Sequence, residues 1–147
     1  MKETASVWLM NGRGEFLLQL RSPRMSNNPN TWGNGAGGGI EDGETSLDAI
    51  CRETKEELGL DIAKGDFAFL GDFFDLTVAG KEKHLWLYFA RGDWELSDIK
   101  TQETEITAVK FVPLADIKKI IGTFACSIQP KKIELLENHL KKIGIKI

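Results

Sequence analysis

The chain has 147 residues, 41% hydrophobic and 28% charged, with a formal net charge of −3. That length and balance fit a single compact domain over residues 1–147 and exclude a disordered or low-complexity chain. No apolar run approaches the ~20 residues of a membrane helix, no basic tract offers a long nucleic-acid footprint, and residues 1–10 lack a signal-peptide core. Cys51 and Cys126 have neither metal-site nor disulfide spacing, and both fall in apolar surroundings. Two reduced core thiols are therefore expected, in a cytoplasmic protein that is a monomer or homodimer, with no membrane and no long nucleic-acid partner.

In chain order, residues 6–10 read as a strand, Asn11-Gly12 as a hairpin signal, and residues 15–21 as a second strand. In that second strand Phe16, Leu18 and Leu20 alternate with Leu17, Gln19 and Arg21. Residues 22–35 read as a polar loop. Residues 35–39 carry four glycines in five positions, a permissive backbone able to approach an anion closely. A helix is predicted from an N-cap at Thr45, with Asp48 completing a capping box, to Gly59 just past its end. Residues 67–74 and 83–91 follow as apolar, aromatic strands around a turn at 77–81. Residues 107–112 form another strand, stopped by Pro113, and 114–121 a short amphipathic helix. Pro130 opens a last helix whose apolar face is Ile133, Leu136, Leu140 and Ile143.

The predicted helix at 46–58 carries the chemistry. Leu47, Ile50, Cys51, Thr54 and Leu58 fall on one stripe at helical spacing. Glu53, Glu56 and Glu57 share a separate arc. Like charges at i, i+3 and i+4 repel, by roughly 0.2–0.5 kcal/mol per exposed pair. A hard cation with oxygen ligands would turn that repulsion into attraction. Residues 41–57 hold seven acids and two bases, so this segment is −5 and the remainder of the chain is +2. A solvated acidic face is the competing reading of E-x-x-E-E by itself. It does not account for the glycine run, Glu44, Arg52 and Gly59 standing in register with those acids.

The segment Gly38 to Leu60, GGIEDGETSLDAICRETKEELGL, resembles the Nudix box, G-x5-E-x7-R-E-U-x-E-E-x-G-U with U a bulky aliphatic residue. Gly38, Glu44, Arg52, Glu53, Glu56, Glu57, Gly59 and Leu60 match it. Thr54 replaces the first U; it lies on the buried stripe, where its methyl packs and its hydroxyl bonds a carbonyl one turn back. The resemblance implies an α/β fold, an α/β/α sandwich around a mixed sheet. It also implies hydrolysis of a nucleoside diphosphate linked to another group. The implied metal ligands are Glu53, Glu56, Glu57 and a backbone carbonyl near Gly37 or Gly38, for Mg2+ or alternatively Mn2+. By the same resemblance Arg52 orients the glutamates, Glu44 anchors the loop, and Glu105, ahead of Glu103, is the distal acid.

Arg21, Arg24 and Gly37 to Gly39 are the candidate phosphate contacts, with solvated arginines the bland alternative. Trp32, Trp86 and Phe74 are candidates for stacking on a base, although aromatics in strands are more often core. His84 and His139 have no partner spacing. A proline about sixteen residues past the box marks ADP-ribose hydrolases, and a tyrosine near there marks diadenosine polyphosphate hydrolases. Leu76 and Thr77 stand there instead, and Tyr88 lies too far on. By elimination the chain looks most like MutT-type enzymes, which take nucleoside triphosphates to monophosphate and pyrophosphate. An isopentenyl-diphosphate-isomerase reading needs a cysteine and a histidine-rich metal site, and the glycine run holds no histidine. A non-catalytic nucleotide-binding module would be expected to carry a degenerate box.

Overall fold

A computed structural model describes residues 1–77 and 79–146. Among these, seven strands form one mixed sheet: β1 (Lys2–Met10), β2 (Glu15–Arg21), β3 (Trp32–Asn34), β4 (Ala36–Gly39), β5 (Ala68–Leu76), β6 (Glu82–Arg91) and β7 (Ile106–Pro113). Three α-helices flank it: α1 (Ser46–Leu58), α2 (Leu114–Ile120) and α3 (Pro130–Lys142). Strand alternation sends successive residues of β1 and β2 to opposite faces. Ala5, Val7, Leu9 and Leu17 pack with Ala49, Ile50 and Leu58 of α1. Trp8, Met10, Phe16 and Leu18 pack with Ile117 of α2 and Ile133, Leu136 and Leu140 of α3. Both faces are covered, which is why these strands read as nearly continuous apolar runs. The result is the expected α/β/α sandwich.

Several boundaries differ from the sequence reading. β1 begins at Lys2 because its whole length pairs in parallel with β6, from Lys2↔Lys83 to Met10↔Arg91. The segment expected as loop contains β3, which pairs with β2, and the glycine run is a strand, β4, antiparallel to β1. Ile143 is not on the buried face; it caps the end of α3 and is exposed. The expected turn at 77–81 includes Val78, outside the described residues; around it Thr77 N donates to Lys81 O at 2.7 Å.

The feature that positions the site is a fork. β1 and β2 pair only at Met10↔Phe16, the hairpin end, and then separate. The chain β3–Gly35–β4 crosses the gap, leaving β2 and joining β1. Gly35 makes the crossing with φ +42°, and a Cβ there would strike the Val7 carbonyl.

Candidate active site

The helix that carries the acids is held at both ends. Thr45 Oγ1 accepts from Asp48 N at 3.1 Å and Asp48 Oδ2 from Thr45 N at 3.0 Å, the expected capping box. Gly59 donates its N–H to Lys55 O. Thr54 is fully buried and donates its hydroxyl to Ile50 O at 2.7 Å. Arg52 is the centre of a charge network. Its Nε and Nη2 grip both oxygens of Glu44 at 2.8 and 2.9 Å. Nη2 also donates to Gly39 O at 3.0 Å, and Nη1 to Glu53 at 2.8 Å and Glu56 at 3.3 Å. The arginine thereby ties α1 to the loop and to the end of β4, and its hydrogen bonds hold the Glu44 carboxyl below the usual range.

The three box glutamates do not share one exposed arc. Glu56 is 51% exposed, Glu53 15%, and Glu57 only 3%. The arc beside the buried stripe lies under β4, so Glu57 points beneath the glycine strand. Its Oε1 accepts from Gln19 Nε2 at 2.9 Å and its Oε2 from Gly37 N at 3.2 Å. Desolvation, and then a hydrogen bond with Glu53, push the Glu57 carboxyl well above the ordinary range. Glu53 lies against Gly38, where any Cβ would run into its carboxylate.

Among the described residues no three acidic, histidine or cysteine side chains already converge as a metal-ligand set. The donor chemistry nevertheless fits a hard cation. Glu53 and Glu57 both lie against the glycine strand, and two neighbouring carboxylates are accommodated by a proton or a positive ion.

A cleft of about 610 Å³ opens in the fork. Glu53, Glu57, Glu105, Arg21 and Gly37 to Gly39 all line it. Glu105 is brought there by its loop: Gln102 N bonds Glu57 O at 3.0 Å, and Glu105 O accepts from Ser22 N at 2.8 Å. Arg24 is exposed and Glu56 faces solvent beside Arg52; neither lines the cleft, and nor does Glu103. Among the described residues no aromatic lines it either. Trp32 lies 4.1 Å beneath Lys110 Nζ, Trp86 Nε1 donates to Glu3 at 2.8 Å, and Phe74 stacks on His84 at 4.6 Å. The expectation that one of these receives a base is therefore not met in this arrangement, because each ring is engaged outside the cleft. Sequence reasoning missed Gln19, Asn34, Lys83 and Lys132, which do line it.

A family model described as the NUDIX domain matches residues 2–126. The chain belongs to the Nudix family. A Nudix hydrolase of Listeria innocua is 36% identical over 112 residues, covering 72% of this chain and 60% of that protein, so this chain spans about three fifths of that relative. An isopentenyl-diphosphate Delta-isomerase of Klebsiella pneumoniae is 25% identical over 139 residues, covering 91% of this chain and 73% of that one. The crystal structure of a MutT protein from Methanosarcina mazei superposes with a TM-score of 0.74 at 20% identity, over 99% of this chain and 96% of that one. That likeness shows the fold. Cys51 Sγ donates to Ile62 O at 3.4 Å and Cys126 packs in the α3-side core. Neither cysteine, and neither histidine, lines the cleft.

Proposed function

We propose that this chain is a divalent-metal-dependent pyrophosphohydrolase acting on a nucleoside diphosphate linked to another group. We propose further that the group is a phosphate, so that a nucleoside triphosphate yields monophosphate and pyrophosphate. The observation that carries the reading is the placing of two carboxylates against the glycine strand, Glu57 bonded to Gly37 N and Glu53 lying against Gly38, at the wall of a cleft large enough for a nucleotide. Glu53, Glu57 and a carbonyl of Gly37 or Gly38 would hold Mg2+, with Mn2+ the alternative, and Glu56 would join by swinging from its place beside Arg52. When bound, such an ion offsets phosphate charge and lowers the pKa of coordinated water.

The chain's own groups do the rest. Gln19 and Gly37 N orient Glu57. Arg52 fixes Glu53 and, through Glu44 and Gly39, the loop around it. Glu105, on the cleft wall, is placed to take a proton from an attacking water. A nucleoside-diphosphate sugar is the second reading, favoured by the polar lining, which offers hydrogen bonds and no stacking platform. A single domain, in the cytoplasm, as monomer or homodimer, completes the proposal.

The deciding experiment is a phosphate-release screen with Mg2+ across nucleoside triphosphates, nucleoside-diphosphate sugars and dinucleotides. Turnover of a triphosphate with pyrophosphate as product supports the reading. Turnover undiminished by excess chelator, or orthophosphate as the dominant product, overturns it.

A further inference from the structure

The same cleft also carries basic groups: Lys2, Arg21, Lys83 and Lys132. Lys132, in the first turn of α3, is only 9% exposed, and Lys83 of β6 is half-buried. Both line the cleft with Arg21 and with Asp75, whose charge acts on each of them. Asp75 is already engaged, accepting from Gln129 Nε2 at 2.9 Å. Lys132 Nζ has one hydrogen-bond partner among the described residues, the neutral Asn34 Oδ1 at 2.8 Å. Asn34 cannot turn away: its Nδ2 donates to Ser6 Oγ and Val7 O, both at 3.0 Å.

A buried ammonium with three donors and one neutral acceptor is poorly compensated. The positive end of the α3 dipole and the nearby Lys83 worsen its position. A phosphate oxygen would supply the missing charge and the missing acceptors together.

We infer that Lys132 and Lys83 form an anion subsite at the inner end of the cleft, which takes a phosphate of the substrate other than the one attacked at Glu53 and Glu57. This rests on the hydrolase reading and deepens it: selection falls on a second anionic group, and the base is left unread. That phosphate has two chemical sources, the terminal phosphate of a nucleoside triphosphate or a second phosphate on the far side of a diphosphate. Lys132 and Lys83 are positioning and specificity-determining residues in this scheme, and the cleavage chemistry stays with the carboxylates.

The test compares wild type with Lys132→Met and Lys83→Met in two assays. In the first, kcat/KM is measured with Mg2+ for ATP, GTP, CTP and UTP, for ADP, and for 5-phosphoribosyl 1-diphosphate. The expected result is activity within about fivefold across the four bases, and at least a tenfold preference for triphosphates, or for the phosphoribosyl compound, over ADP. Which of the two is preferred identifies the source of the phosphate. Either methionine variant should reduce that preference at least tenfold, through KM and with kcat little changed.

The second assay is calorimetric binding of inorganic pyrophosphate to the metal-free protein. Binding should weaken at least tenfold in both variants and persist in Glu53→Gln. Pyrophosphate binding of this pattern without any turnover would sink the hydrolase reading and leave the subsite standing. Turnover with a base preference above a hundredfold, or preference and pyrophosphate affinity unchanged in both variants, would sink the subsite and leave hydrolysis standing.

Discussion

Lys132→Met should stabilise the metal-free protein at pH 6 and destabilise it above pH 10. Burial holds the Lys132 ammonium down to about 7, against an ordinary value of 10.5. Between those values the unfolded chain binds the proton and the folded chain does not, so wild-type stability gains with rising pH through that window. At about 1.4 kcal/mol per pH unit the full span amounts to about 5 kcal/mol, all of it lost below pH 7. Methionine keeps the length and the methylenes and removes the charge. It also leaves Asn34 Oδ1 buried without its donor, at a cost of about 1–3 kcal/mol. The net expectation is a gain of about 2–4 kcal/mol at pH 6, or about 5–10 °C in melting temperature for a domain of this size. Relief of the neighbouring Lys83, whose ammonium burial also lowers, acts in the same direction. The assay is urea or thermal unfolding of both proteins in chelator from pH 6 to 10. A variant less stable at pH 6, or a stability difference flat across the range, would refute the reasoning.

Other outcomes follow from the site. Glu57→Gln should lose activity by orders of magnitude, because the proposed metal site would lose one of its charged ligands. Metal-free Glu57→Gln should also lose a pH dependence that wild type has. The folded carboxyl is raised, so wild-type stability falls as pH climbs above the ordinary carboxylate value, and a neutral amide cannot titrate; unfolding curves at pH 5 and 7.5 will read this. Gly38→Ala should cut kcat at least tenfold with the melting temperature shifted little, because its Cβ displaces the Glu53 carboxylate and meets no core; a normal kcat would contradict the placement of Glu53. Arg52→Lys should cost about 1–3 kcal/mol of stability along with activity, because an ammonium cannot keep the bidentate grip on Glu44 and the contact to Gly39 O together; urea titration measures it.

Residues 45–59 disclosed themselves because their apolar spacing, cap and terminal glycine all act locally. β3 and β4 did not. Trp-Gly-Asn and Ala-Gly-Gly-Gly carry no alternation, and they become strands only because β2 and β1 offer them unpaired edges across the fork. Helical angle placed Glu57 off the apolar stripe correctly, but angle cannot state how wide a face the neighbouring strand covers, and β4 covers one acid more than the stripe suggested. The sequence reading of the last helix names only its apolar face and passes over Lys132. A signal existed: it stands four residues before Leu136 and eight before Leu140, on the buried side of α3. Glu105 was legible only as one of two candidate acids, and long-range backbone bonds of Gln102 and Ser22 are what bring it to the cleft wall.

The fork divides labour between the two layers of the sandwich. The proposed metal-binding carboxylates hang from α1, whose footing is the Ala5–Val7–Leu9 face, while Lys132 and Lys83 belong to α3 and β6, rooted in the opposite core. The short β3–Gly35–β4 crossing runs between them, Asn34 bonded to Lys132 on one side and Gly37 to Glu57 on the other. Changing Lys132 while keeping Ile133, Leu136 and Leu140 would therefore retune what the cleft admits and leave Glu53 and Glu57 undisturbed, whereas lengthening the crossing by one residue would throw the two halves out of alignment at once.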